Sequence, residues 1–122
     1  MIINYDLLPK EITIKGIFQD YNVFINGEPL DWESSLKIRN HSPSGPSWSY
    51  AGSGCAQMAL AILNIYLPSD QAQSIYQSFK FKFIAILPKE DFEVKLKLRE
   101  VIYLLNDDSD KNFDIKNYMV SV

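Results

Sequence analysis

Cysteine and histidine are almost absent: Cys55 and His41 are the only ones among 122 residues. A lone cysteine excludes an intramolecular disulfide and suits a reducing compartment, where Cys55, set among apolar neighbours, reads as core packing. A lone histidine excludes metal sites built on a histidine pair and leaves any histidine-based acid–base role to His41. Long apolar runs are missing as well, none approaching the roughly 20 residues that span a bilayer. The start, Met1-Ile2-Ile3-Asn4-Tyr5-Asp6, lacks the basic and apolar regions of a secretion signal, so a cytoplasmic protein with no membrane partner is expected. There is no basic excess, since 12 Lys and Arg face 15 Asp and Glu for a formal charge of -3, and this disfavours generic binding to nucleic acid. Lys80, Lys82, Lys95, Lys97 and Arg99 are the residues from which a local basic patch would have to be built, and solvated faces are the simpler reading of them. The carboxylates Asp6, Glu11, Asp20, Glu28, Asp31 and Glu33 show no spacing that selects a metal pair or a glycosidase pair, so neither a metal nor a cofactor is expected.

What the chain does have is material for a core. Hydrophobic residues make up 47% against 22% charged, enough for one compact domain over 1–122 without a staple. The acidic stretch Asn106-Asp107-Asp108-Ser109-Asp110 reads as a short linker, which makes 106–122 a candidate for a separately docked tail, with Phe113 to Val120 as an edge strand or a docking segment.

Ile12–Phe18 and Tyr21–Ile25 are rich in β-branched and aromatic residues and are separated by Gln19-Asp20, which predicts a hairpin. Asn26-Gly27 follows, and both residues tolerate the positive φ of a type I′ turn, so a meander is expected. Leu36–Arg39 alternates and is read as a further strand that delivers Asn40 and His41 to the sheet's end. From Ala56 to Leu67 only Gln57 and Asn64 interrupt an apolar run of helix formers, and seven residues apart they share one stripe of a buried helix. Pro68 ends it. Ser69 is placed to cap a second helix carrying Ala72, Ile75, Tyr76 and Phe79 at helical spacing. Lys80–Leu87 is read as a strand from the alternation of Phe81, Phe83 and Ala85. Val94, Leu98, Val101, Ile102 and Leu105 mark a last helix, although Phe92, Val94, Leu96 and Leu98 also fit period two and allow a short strand before it. The fold class is α+β: a small, mostly antiparallel sheet packed against a buried central helix and two further helices.

The chemistry concentrates between Asn40 and Gln57, where polar, aromatic and turn-forming residues precede the apolar helix. Gly52-Ser53-Gly54 opens that helix. Glycines let the backbone approach closely, Ser53 is positioned to cap, and first-turn amides attract a phosphate or carboxylate, although an ordinary cap explains the same residues. Neither phosphate-loop nor dinucleotide fingerprint is present. His41, Ser42, Trp48, Tyr50, Ser53 and Gly54 are therefore the candidate ligand-binding residues, with packing as the alternative for Trp48 and Tyr50, and His41 is the sole catalytic candidate.

Asn40, His41, Ser42, Pro43 and Gly45, then Trp48, Tyr50 and Gly52-Ser53-Gly54, then Ala56, Gln57 and Ala59 through Leu63 form a pattern that resembles a small family of uncharacterised proteins found largely in phages, plasmids and other mobile elements. Pro46 and Cys55 depart from it, standing where the pattern usually has an aromatic and a proline. The resemblance implies a genomic setting and a shared surface. It leads to the expectation of an accessory protein that binds a host protein or a nucleotide-like, anionic small molecule, for example to blunt a host defence. The alternatives are a small phosphoester hydrolase or nuclease using His41, and a structural or virion-associated protein; a homo-oligomer is compatible with each.

Overall fold

The computed structural model describes residues 3–107 and 112–122. Alternation builds the sheet. In β1 (Ile12–Ile17) the side chains of Ile12 and Ile14 point into the core while Lys15 faces solvent, and Val23 and Ile25 of β2 (Asn22–Ile25) do the same. Tyr21, at φ +53°, closes the turn between them. Asn26 and Gly27, at φ +51° and +84°, form the expected two-residue loop into β3 (Glu28–Pro29), and the Asn26 side chain accepts the Thr13 N–H at 2.8 Å, tying the loop to β1. β4 (Phe92–Leu96) pairs with the other edge of β1 and β5 (Met119–Ser121) with β4, all antiparallel, giving the order β3-β2-β1-β4-β5.

The helices α1 (Ser53–Tyr66), α2 (Ser69–Lys82) and α3 (Leu98–Asn106) complete the α+β architecture. α1 is the core element: every residue from Gly54 to Leu63 is buried, including Gln57, and α2 packs along it through Ala72, Ile75, Tyr76 and Phe79. Trp48, wholly buried, anchors the loop before α1. Its ring meets Phe18, Tyr21 and Phe92 edge-on at 5.0–6.0 Å, and its indole N–H donates to the Pro88 carbonyl at 3.0 Å.

Several segments depart from the sequence expectation. Leu36–Arg39 is no strand; Ser34–Lys37 is a 3-10 turn, because the Asp31 carboxylate accepts both the N–H and the hydroxyl of Ser34 and starts a helical turn. Lys80–Leu87 is no strand either. The apolar stripe of α2 continues from Phe79 to Phe83, whose rings stack at 5.2 Å, so the helix runs to Lys82 and a 3-10 turn at Ile84–Ile86 follows. Phe81, which suggested alternation, is 59% exposed and lies under the Lys80 ammonium. Ser53 and Ser69 do not cap: the N-cap positions are Gly52 and Pro68, with no side-chain cap bond, and both serines are the first helical residues. A strand does precede the last helix, and the tail supplies an edge strand. Of the acidic linker, residues 108–110 lie outside the described residues, and Asn106 ends α3.

Candidate functional site

Gln57 organises the motif. Its buried side-chain oxygen accepts the backbone N–H groups of His41 at 2.8 Å and Ser42 at 3.1 Å, while its amide nitrogen donates to Ser35 Oγ at 2.7 Å and the Arg39 carbonyl at 3.0 Å. The buried Ser35 hydroxyl donates in turn to the Trp32 carbonyl. A primary amide has two donors and a carbonyl oxygen with two lone pairs, so Gln57 is fully satisfied, and the chain from Trp32 to Ser42 is fixed to α1. Among the described residues no buried side-chain polar atom lacks a partner.

His41 is held at both ends. Its backbone is pinned by Gln57, and its half-buried ring shares a hydrogen bond between Nε2 and the Tyr76 hydroxyl at 2.8 Å. One ring nitrogen is thereby committed to α2. Whatever proton transfer the imidazole performs falls to Nδ1.

The Gly-Ser-Gly entry is shaped by close packing. A Cβ on Gly52 would lie 2.2 Å from the Tyr50 ring, and one on Gly54 would lie 2.2 Å from Ser47 Oγ. Ser47 is itself buried: its N–H donates to the Gly54 carbonyl at 3.2 Å, and its hydroxyl is 2.9 Å from that of Tyr50 and 3.7 Å from the thiol of Cys55. Tyr50 thus lies across the start of α1 with its hydroxyl fixed, and the ring is still 52% exposed. Ser49, at φ +75°, makes the turn between the buried Trp48 and the exposed Tyr50.

The six predicted residues therefore divide. Trp48 and Gly54 are buried, His41 and Ser42 are half-buried beside Gln57, and Tyr50 and Ser53 stand at the surface near the first turn of α1. Gln57, Ser35, Ser47 and Tyr76 hold this arrangement together. The sequence signalled Gln57, the polar break in an apolar helix, and placed Ser47 in the marked segment and Tyr76 on the second helix without showing their roles, while Ser35 carried no signal. Of the basic residues, Lys80 and Lys82 lie against the rings of Phe81 and Phe113 at 4.2 and 4.5 Å, and Arg99 donates to the Leu8 carbonyl at 2.6 Å. No group of three His, Cys, Asp or Glu among the described residues is placed to hold a metal ion.

Residues 16–106, which carry this whole arrangement, match a family of unknown function, DUF6166. The chain belongs to that family. No curated protein and no solved structure matches it. The DUF6166 span contains β1 from Gly16 onward, the Gln57 knot and all three helices, and it leaves out the Tyr5 turn and the strand β5.

Proposed function

We propose that this DUF6166 protein is a binding module carried by a phage or plasmid, which acts in the cytoplasm of the host cell by occupying a host protein, for example one that serves in defence. The observation that carries the reading is the fixed, outward-facing ring of Tyr50. Ser47 holds its hydroxyl, Gly52 lies beneath it, and the Gln57 knot anchors the neighbouring chain. A rigid, half-exposed aromatic beside small polar residues loses little entropy on binding and is the common anchor of protein interfaces. Four cavities among the described residues are lined by residues outside 40–54, and the exposed Tyr50 ring offers a flat face that suits a protein partner.

The competing reading, hydrolysis of a phosphoester by His41, asks more of the same residues. Nε2 is spent on Tyr76, and Tyr50 and Ser47 close over the helix start that would hold the anion.

The test is a native mass spectrum of protein purified gently from host cells, beside a Tyr50→Ala/Ser53→Glu variant with the same melting temperature. A discrete protein adduct that the variant loses is expected. A bare chain, or an adduct indifferent to the double substitution, would sink the proposal.

A further inference from the structure

A cavity of about 430 Å³ lies away from the Asn40–Gln57 motif and is lined by Tyr5, Arg99, Glu100, Tyr103, Leu104 and Tyr118. Three tyrosines come to it from remote parts of the chain: Tyr5 from a 3-10 turn near the start, Tyr103 from α3, and Tyr118 from the turn before β5. Tyr5 and Tyr103 meet at an interplanar angle of 71° with centroids 5.5 Å apart, so their rings form a corner. Two of the three are held from behind. The Tyr5 hydroxyl accepts a hydrogen bond from Asn106 Nδ2, Tyr118 packs edge-on against Phe113, and the Tyr118 carbonyl accepts the Lys97 N–H at 2.8 Å.

The charge of the lining is polarised. The Arg99 guanidinium is turned toward the N-terminal segment, where Nε and Nη2 donate to the Leu8 carbonyl and Nη2 also reaches that of Asp6. Glu100, exposed and one helical turn before Tyr103, is the acidic residue of the lining. Aromatic faces carry negative quadrupole density, and perpendicular rings with a nearby carboxylate suit a cation that is large, weakly hydrated and clothed in methyl groups. A bare ammonium would lose its hydration in so apolar a cleft; a trimethylammonium group has little to lose.

We propose that this cleft is a binding site for a quaternary ammonium group, held by cation–π contact with Tyr5, Tyr103 and Tyr118 and by the charge of Glu100. Tyr5 and Tyr118 lie outside the span that matches the family, and Tyr103 lies within it. It stands or falls independently of the Tyr50 surface.

The experiment is titration of the full chain, followed by two-dimensional NMR, with choline, with free N-trimethyllysine, with lysine, and with 3,3-dimethylbutanol, the neutral isostere of choline. One or both trimethylammonium compounds should shift the resonances of Tyr103 and its neighbours and bind about tenfold more tightly than the isostere or lysine. Which of the two binds better identifies the source as a small alcohol or a modified side chain. Tyr103→Ala should abolish the effect, Tyr103→Phe should retain it, and Glu100→Gln should weaken it several-fold; Tyr103 is 52% exposed, so the fold tolerates these changes, and the Phe variant serves as the folding control. Equal binding of the neutral isostere would overturn the proposal by making the cleft merely apolar, and so would shifts confined to other regions or no binding by either cation.

Discussion

The side-chain oxygen of Gln57 lies 2.8 Å from the backbone nitrogen of His41, so a residue in the second turn of the most buried helix fixes a loop residue 16 positions before it. Gln57→Leu would keep the volume and remove the acceptor, leaving the N–H groups of His41 and Ser42 and the carbonyl of Arg39 without their partner. A loss of about 2–4 kcal/mol is expected, read as a lower urea midpoint with an unchanged slope. A variant as stable as the parent would show that the loop finds other partners.

Gly54 and Ser47 should behave as a coupled pair. Gly54→Ala places a methyl group 2.2 Å from Ser47 Oγ and should destabilise by about 1–3 kcal/mol, as overpacking does. Ser47→Gly removes the obstructing atoms, so the double variant should lose less than the sum of the two single losses. Strict additivity in thermal or chemical denaturation would count against the clash.

His41→Ala and Tyr76→Phe each delete one end of the 2.8 Å contact between ring and hydroxyl. Each should cost about 0.5–1.5 kcal/mol from the hydrogen bond, with a coupling energy of similar size in the double-mutant cycle. Should His41→Ala also erase a phosphoesterase activity of the parent while Tyr76→Phe preserves it, the enzymatic reading would replace the binding one.

The Asp31 carboxylate is held below its ordinary value of 3.8, first by the Ser34 hydroxyl and then by the Ser34 N–H, and Lys37 adds to the effect. A depressed folded pKa contributes stability that is complete above the unfolded value and is lost as pH falls through the folded one. Asp31 is fully exposed, so its contribution is small and screened by salt. Asp31→Asn should therefore flatten the acid limb of stability slightly below about pH 4 and leave neutral stability nearly unchanged, as followed by thermal melts across pH.

Much of the fold was legible because local signals agreed with their surroundings. Asn26-Gly27 takes the positive φ its residue types allow, and the apolar run after Cys55, broken only by Gln57 and Asn64, is the buried α1. Leu36–Arg39 and Lys80–Leu87 misled for one reason: over four to eight residues alternation does not separate a strand from a helix whose exposed face carries a large apolar residue such as Phe81. Within the motif, the sequence marked the right segment but could not divide it into Trp48 inside and Tyr50 outside, since that division rests on the single φ of Ser49. The tyrosine cleft was beyond reach, because nothing local relates Tyr5 to Tyr103 or Tyr118.

The place of β1 in the sheet bears on how the chain is made. Ile14, synthesised before the helices, stands opposite both Ile25 and Val94, so the middle strand keeps one raw edge until the helical layer and β4 have been synthesised. Through that interval the nascent chain carries α1, almost wholly apolar, with half a sheet to receive it. Assembly must wait for β4, and a chain stalled before Phe92 would offer an open strand and an uncovered helix to whatever lies near, which makes translation arrest in that region more damaging than arrest after Leu96.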